Sequence, residues 1–297
     1  MFLRIDKLQI SLDVPSQSDP NAAAAVQELM GGRFGEMSTL MNYMHQSVAF
    51  RMKKQLAPFY ELVASITAEE LGHVELVAAT VNALLDAPAP ETDPEAAPYE
   101  AVKDVRLSQH FILGGPGHLV GDSQAKPWMG DYVFNSGNLV LDLLHNFFLE
   151  CGARTHKARV YEMTSNPTAR RMIGYLLVRG GVHQAAYALA LEKITGVKMS
   201  QFLPTPKIDN AKFRETQQWE QKGEHTKLYR FSPNDFTNLS GVWSGTADWA
   251  DGAPLSVVAG HPEGGPMPEG NPNPAGFAPE YAPEEVVEIA QRLMRGM

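Results

Sequence analysis

The sequence has little of several features that mark other classes of protein. Cys151 is the single cysteine, which excludes a disulfide within the chain and fits a reducing compartment. No apolar stretch approaches the ~20 residues that a membrane-spanning helix needs, and the charged residues near the start argue against an export signal. The chain has no basic run and a formal net charge of −9, which argues against binding nucleic acid or an anionic membrane. We therefore expect a soluble, cytoplasmic protein.

The composition is that of an ordinary folded protein, with 297 residues that are 44% hydrophobic and 20% charged. Residues 1–20 alternate loosely between apolar and polar positions, which favours an extended N-terminal arm. Residues 21–199 carry the periodicity of four helices, with a Pro- and Gly-rich crossover at 87–132 between the second and the third. From about residue 200 the pattern changes, so we assign 200–297 to a C-terminal extension.

Caps, prolines and glycines predict the helix bounds. The first helix is predicted to begin at Asn21, acting as an N-cap, and to continue to about Lys54. Gly31, Gly32 and Gly35 weaken its middle by roughly 1 kcal/mol each relative to alanine, so another backbone or a bound group is expected to approach closely there. The later helices of the bundle are predicted at 58–87, 136–164 and 168–195.

The C-terminal extension leaves two alternatives open. Residues 252–283 hold many Gly and Pro residues and show no periodicity, which is typical of a disordered tail. The other possibility is an ordered arm laid over a neighbouring subunit. A last short helix is predicted at 283–294.

One short motif in the second helix combines a carboxylate with an imidazole. Glu70 and His73 are three residues apart, so in a helix both side chains leave the same face about one turn apart. Their neighbours at helical spacing, such as Ile66 and Val77, are apolar, which places the pair in the core. An unpaired buried charge is too costly there, so the pair must be bound to a partner. Four-helix bundles hold pairs of metal ions with this Glu-x-x-His arrangement.

Three further polar residues interrupt apolar helix surfaces at matching positions. Glu36 lies 34 residues before Glu70, and the midpoint of the two falls just before the turn into the second helix. Glu150 lies 33 residues before His183, and their midpoint falls at the turn before the fourth helix. Residues equidistant from the turn of an antiparallel helical hairpin lie at the same height. The sequence therefore predicts an all-α four-helix bundle with a dinuclear metal site formed by Glu36, Glu70, His73, Glu150 and His183.

This set of ligands restricts the metal and its surroundings. Three carboxylates and two imidazoles suit manganese or iron, and suit copper(I) or structural zinc poorly. Two divalent ions carry four positive charges, whereas the three carboxylates carry three negative charges. A bridging hydroxide or oxide would neutralise the remaining positive charge. Tyr43 and Tyr187 are candidates to hydrogen-bond the ligand carboxylates from outside. Asp142 lies about 80° around the helix from Glu150, so we set it aside.

Several segments carry a pattern beyond these five residues: Gly31-Gly-Arg-Phe-Gly-Glu36-Met-Ser-Thr-Leu-Met-Asn-Tyr43, Glu69-Glu70-Leu-Gly-His73-Val-Glu75, Ser136-Gly-Asn-Leu and His183. They resemble the manganese catalases, the non-haem catalases of the ferritin-like superfamily, and the similarity extends over nearly the whole chain. The resemblance implies a ferritin-like bundle and a homohexamer whose C-terminal arms embrace neighbouring subunits. It also implies two manganese ions per subunit that turn two molecules of hydrogen peroxide into oxygen and two waters, alternating between Mn(II)/Mn(II) and Mn(III)/Mn(III).

By the same resemblance, the five residues above are the manganese ligands, and Glu70 is the catalytic carboxylate that bridges the two ions. The chain departs from part of the family at Leu149, where some members have an arginine, and at Gly180, where they have a glutamate. Both differences alter the shell around the ligands, so we assign proton transfer to the metal-bridging oxygen, assisted by Glu70, rather than to a separate side-chain base. A di-iron oxidase or oxygenase and a metal-storage bundle are the alternatives, and a structural calcium ion stays an open question.

Overall fold

The computed structural model describes residues 5–86, 117–199, 208–247, 252–270 and 283–296. Most of these residues are helical, as expected for the all-α class. The described residues form seven α-helices: α1 Pro20–Gly31, α2 Glu36–Ala49, α3 Ala57–Asp86, α4 Leu139–Met163, α5 Pro167–Thr195, α6 Gln217–Gln221 and α7 Pro283–Arg295.

The first predicted helix is in fact two helices, because the chain turns at the glycines in its middle. α1 ends at Gly31 and α2 begins at Glu36. A Cβ atom on Gly31 would lie 2.3 Å from the backbone of Gly121, and one on Gly35 would lie 2.8 Å from the carbonyl oxygen of Leu29. The prediction of one continuous helix from 21 to 54 was therefore wrong, whereas the expected close approach of another backbone is confirmed.

Side-chain caps fix where the helices start. Asp19 caps α1 by accepting a hydrogen bond from a first-turn backbone N–H, so the prediction of Asn21 as the cap was wrong. Asn138 and Asn166 cap α4 and α5 in the same way, each accepting from two backbone N–H groups. Gly196, with φ of 72°, ends α5 in the left-handed conformation that glycine adopts without strain.

The bundle is formed by two helical hairpins, with α2 packed on α3 and α4 packed on α5. Its buried side chains form two apolar clusters, one that contains Leu76 and Ile173 and one that contains Ile66 and Leu143. On α3, the buried residues between the two clusters are all polar, and on α5 the buried residues Arg179 and His183 lie at the boundary of the clusters. The fold therefore creates a polar layer across the middle of an apolar bundle.

The described residues also form six short strands outside the bundle, and one pair of them joins the two ends of the chain. β1 Lys7–Leu8 pairs antiparallel with β6 Gly265–Pro266, β2 Lys227–Arg230 pairs parallel with β5 Ser256–Ala259, and β3 Thr246–Ala247 pairs antiparallel with β4 Ala253–Pro254. The N-terminal arm and the extension thus meet on the same chain. The described part of the extension also packs on its own bundle, since Glu61 on α3 accepts two hydrogen bonds from Asn238. That the extension wraps a neighbouring subunit stays a prediction.

Parts of two predicted segments lie outside the described residues, namely 87–116 of the crossover and 271–282 of the Gly- and Pro-rich stretch. The rest of the crossover covers α1 and α2, where Gln27 donates to the carbonyl oxygens of Leu119 and Gly121, and Trp128 donates to Ser38. None of the helices in the described part of the chain combines the length and the hydropathy needed to cross a bilayer.

Candidate metal centre

The five candidate ligands converge in the polar layer between the apolar clusters. Glu36 is the first residue of α2, Glu70 and His73 lie one turn apart on α3, and Glu150 and His183 lie on α4 and α5. All five are fully buried, with at most 1% of any of them exposed. The structure therefore brings together every residue that the sequence proposed for the site.

Glu70 lies at the centre, and its two carboxylate oxygens face different histidines. Oε1 is 2.7 Å from Nδ1 of His183, and Oε2 is 3.2 Å from Nδ1 of His73. The hydroxyl of Thr39 donates a hydrogen bond of 2.7 Å to Oε2. One ligand atom from each of Glu70, His73 and His183 lies within 4.8 Å of the others, a spacing that suits a common metal ion.

Two more carboxylates extend this arrangement into two similar halves. Oε2 of Glu36 lies 3.5 Å from Nδ1 of His73, and Oε1 of Glu150 lies 3.5 Å from Nδ1 of His183. Each half of the site thus offers one terminal carboxylate, one imidazole nitrogen and one oxygen of Glu70.

Each terminal carboxylate is held at one of its oxygens. The Tyr43 hydroxyl donates to Oε1 of Glu150 at 2.7 Å, and Nζ of Lys157 lies 2.8 Å from Oε1 of Glu36. The other oxygens, Oε2 of both Glu36 and Glu150, are buried and have no hydrogen-bond partner among the described residues. Buried carboxylate oxygens normally accept a hydrogen bond, so one oxygen without a hydrogen bond on each side of Glu70 fits a pair of metal ions.

Sequence reasoning missed three buried charged residues at the site, Lys157, Glu69 and Arg179. Lys157 lies seven residues after Glu150, and Arg179 lies four residues before His183. Each spacing puts the charge on the same helix face as a candidate ligand, and that spacing was the available signal. Arg179 donates from Nε and Nη2 to the two oxygens of Glu69, at 2.5 and 3.0 Å.

The distal nitrogens of both histidines face Glu69. Nε2 of His183 is 3.3 Å from Oε2 of Glu69, and Nε2 of His73 is 3.7 Å from Oε1. The two imidazole rings are stacked, with centroids 5.5 Å apart and planes 24° apart. The ring pair therefore lies between Glu70 on its Nδ1 side and Glu69 on its Nε2 side.

The negative charges at the site outnumber the positive ones. Four buried carboxylates (Glu36, Glu69, Glu70 and Glu150) face two buried cations, Lys157 and Arg179. Burial alone would lower the pKa of His73, but Glu70 and Glu36 override it and raise that pKa to about 9. The pKa of His183 is likewise raised, because Glu69 and Glu150 outweigh its burial. The layer therefore favours added positive charge, from protons or from metal ions.

The neighbouring donors keep their protons. Burial would lower the pKa of Lys157, but Glu36 raises it, so the ammonium group stays charged. Burial and the charge of Glu150 raise the pKa of Tyr43 well above its ordinary value, so its phenol remains a donor. The ring of Tyr187 lies 5.2 Å from that of Tyr43, and its hydroxyl has no hydrogen-bond partner among the described residues.

At the two positions where the sequence departs from the expected pattern, Gly180 and Leu149, the side chain carries no charge. A Cβ atom on Gly180 would lie 3.2 Å from Cγ of Arg154 and 3.7 Å from both Oε2 of Glu150 and Nζ of Lys157. The absent side chain thus leaves room for two long cationic side chains from α4. Leu149 is buried in the apolar cluster around Ile66 and Leu143.

Comparisons with known proteins agree with this chemistry. A family model described as manganese containing catalase matches residues 1–296. The chain belongs to this family. It is 34% identical over 184 residues to a manganese catalase of Bacillus subtilis, a match that covers 61% of this chain and 66% of that protein. It is 33% identical over 199 residues to a manganese catalase of Lactiplantibacillus plantarum, covering 65% and 72%.

The fold is similar to that of KatB, a manganese catalase from Anabaena. That match has a TM-score of 0.56 and 21% sequence identity, and it covers 88% of this chain and all of the solved one. At this identity the likeness supports the fold alone. The predicted ferritin-like fold class and the predicted enzyme class, manganese catalase, are confirmed by these comparisons.

Proposed function

We propose that this manganese catalase converts two molecules of hydrogen peroxide into oxygen and two waters at a pair of manganese ions. The ligands are Glu36 and His73 for one ion, Glu150 and His183 for the other, and Glu70 between them. The observation that carries this proposal is the division of the two Glu70 oxygens between two different histidines. A carboxylate placed in this way would supply one oxygen to each of two ions when they are bound.

The donor set suits manganese. Carboxylate oxygen is a hard ligand, and imidazole is compatible with several first-row divalent ions. When bound, a manganese pair supplies two-electron redox chemistry by alternating between Mn(II)/Mn(II) and Mn(III)/Mn(III), as the family implies. The protein supplies a buried site, fixed ligand positions and a place for protons.

Lys157 is the residue best placed to donate one of the protons that the reaction needs. Oxidation of one peroxide to oxygen releases two protons, and reduction of the second peroxide to two waters takes up two. Nζ of Lys157 is buried, charged and 2.8 Å from Oε1 of Glu36, so a proton at Nζ is adjacent to a candidate ligand. The ammonium group also lies beside the space left by Gly180. We therefore propose that Lys157, charged at rest, donates one of the two protons to the peroxide that is reduced, and regains one of the two protons that the oxidised peroxide releases.

This assignment revises the expectation from the sequence, which placed proton transfer on a bridging oxygen assisted by Glu70. Glu70 has a different role in the present proposal. Its oxygens are engaged by Thr39 and by the two histidines, so it is best placed to hold the two halves together.

Metal analysis with an oxygen assay tests the function. Protein expressed with manganese is expected to hold two manganese ions per chain and to evolve oxygen from peroxide, with the same rate in the presence of a haem poison. Glu70→Gln is expected to abolish the paired site, because an amide offers only one acceptor oxygen. Glu61→Gln is the matched control, since Glu61 is a buried carboxylate of the same helix that hydrogen-bonds Asn238 rather than the site.

The outcomes separate the alternatives. Full iron loading with consumption of oxygen, and no oxygen evolution from peroxide, would favour a di-iron oxidase or oxygenase. Variable metal content with no turnover, unchanged in Glu70→Gln, would favour a storage bundle. The family membership reported above favours the catalase over both.

We also propose that the chains assemble into a homohexamer in the cytoplasm. α7 supports an assembly, because Val287, Ile289 and Leu293 are 50%, 48% and 66% exposed in the single chain. Apolar side chains on one exposed helix suit burial against another subunit. Light scattering of the purified protein is expected to give six times the mass of the chain, and the mass of a monomer would contradict this.

A further inference from the structure

Glu69 is not among the proposed ligands, yet it contacts both candidate histidines on the side away from Glu70. In both rings Nδ1 faces the proposed metal pair, so Nε2 carries the proton of a neutral, metal-binding imidazole. That proton needs an acceptor, because the rings are fully buried. Neither Nε2 atom makes a hydrogen bond among the described residues, and Glu69 has one oxygen near each of them, 3.3 Å from Nε2 of His183 and 3.7 Å from Nε2 of His73.

The carboxylate of Glu69 is itself held in place. Arg179 donates from Nε to Oε1 and from Nη2 to Oε2, at 2.5 and 3.0 Å. Two parallel hydrogen bonds fix the plane of the carboxylate as well as its position. Each oxygen of Glu69 therefore faces one nitrogen of Arg179 and one imidazole nitrogen.

Arg179 is in turn fixed by the C-terminal extension. Its Nη1 donates to the backbone carbonyl oxygens of Glu224 and Lys227, at 2.6 and 2.9 Å, and its guanidinium lies 4.9 Å from the ring centroid of Tyr229. The guanidinium is fully buried, so these carbonyl groups replace water as acceptors. A continuous series of contacts thus runs from the extension to both histidines.

We propose that Glu69 is a positioning residue that accepts the Nε2 proton of both His73 and His183, and that Arg179 and the backbone of the C-terminal extension fix it for that role. One carboxylate then orients a ligand of each metal ion and sets the tautomer of both rings. This inference rests on the proposed function only in taking the two histidines as metal ligands. It requires metal binding and does not require turnover.

Loss of an outer acceptor of this kind typically weakens metal binding 10–100-fold. Glu69→Gln removes one acceptor oxygen and the negative charge, and it leaves buried Arg179 with only the more distant carboxylate of Glu224, 3.9 Å from Nη1, as a counter-charge. The double variant Glu69→Gln/Arg179→Gln removes both charges together, so it avoids an unpaired buried cation. Glu61→Gln is the control, because Glu61 is a buried carboxylate of α3 that also holds the extension, but through Asn238.

The measurement is manganese affinity by competition with a chelator, together with the EPR spectrum of the Mn(II)-loaded protein. The dissociation constant is expected to rise roughly 10–100-fold in the single and the double variant, for both ions, with an altered EPR spectrum, and to change less than ~3-fold in Glu61→Gln. Recovery of wild-type affinity and spectrum in the double variant would overturn the proposal, because Glu69 would then serve only to neutralise Arg179. Wild-type protein that binds two manganese ions without evolving oxygen would contradict the proposed function and leave this inference standing.

Discussion

Single residues make the two halves of the site electrically different. Lys157 places a positive charge 2.8 Å from Glu36, whereas Tyr43 gives Glu150 a neutral donor at 2.7 Å. In the proposed function, the half that contains Glu36 is therefore the side from which a proton is donated. The ligands alone do not show this difference, because each side of Glu70 has one glutamate and one histidine.

Replacement of Lys157 by methionine tests this difference, because methionine keeps a long side chain and removes the charge. The oxygen-evolution rate per manganese pair is expected to fall roughly 10²–10⁴-fold, the range typical for loss of a general acid or base. Manganese content is expected to be retained, since removal of a cation leaves the site more negative. Steady-state oxygen evolution and metal analysis on the same sample measure both quantities.

Arg154→Met is the matched control for Lys157→Met. Arg154 is also a buried cation of α4 near Gly180, but its guanidinium donates to Gln184, Asn210 and the carbonyl of Ile208 rather than to the site. It is expected to retain turnover per manganese pair. Wild-type turnover in fully loaded Lys157→Met would remove Lys157 from the proton path.

The sequence could indicate the candidate ligands but not their surroundings. Glu70 and His73 stand out because they interrupt an apolar stripe at a spacing with known chemistry. Glu69 is also acidic and is adjacent to Glu70, so a helical pattern alone does not show that it is buried. Its role depends on Arg179, which is 110 residues away in the chain, and on carbonyl groups of the extension.

At the scale of elements, the break between α1 and α2 places Glu36 at the start of a helix. The helix propensity of glycine predicts a weak point of roughly 1 kcal/mol per residue, which a helix can tolerate. The break depends instead on Gly121, whose backbone occupies the position that a Cβ atom on Gly31 would need. That contact joins residues 90 positions apart, so it could not be predicted from the periodicity of the first helix.

Gly31→Ala tests the packing of the crossover against this break. The added methyl group would lie 2.3 Å from the backbone of Gly121, so the free energy of unfolding is expected to fall by about 1–3 kcal/mol. Gly130→Ala, in the same crossover, is the control, because a Cβ atom there meets nothing within 4 Å. Denaturant unfolding that gives equal stabilities for the two variants would contradict the described packing.

At the scale of the whole molecule, the bundle buries more negative than positive charge. Four carboxylates and two cations lie in the layer between the two apolar clusters. Uncompensated buried charge destabilises a folded protein, so metal binding is expected to stabilise this one as well as to supply its chemistry. The helical hairpins that create the layer were predictable from periodicity, whereas the pairing of β1 with β6 was not, because it joins two-residue strands from opposite ends of the chain.

Removal of metal is therefore expected to lower the melting temperature. A ligand present at 100 times its dissociation constant stabilises the folded state by ~2.7 kcal/mol, so chelation is expected to lower Tm by roughly 5 °C or more. Differential scanning calorimetry before and after chelation, and again after manganese is restored, measures the effect. In Glu70→Gln the chelator is expected to change Tm little, and an equal shift in that variant would place the stabilising metal elsewhere.

The central claim is that Glu70 bridges two manganese ions, each completed by one histidine and one further glutamate. Anomalous X-ray diffraction at the manganese edge, from crystals of the manganese-loaded protein, tests this claim most directly. We predict two anomalous peaks per chain, one beside each oxygen of Glu70, with Glu36 and His73 on one and Glu150 and His183 on the other. A single peak, or peaks that lie away from Glu70, would contradict it.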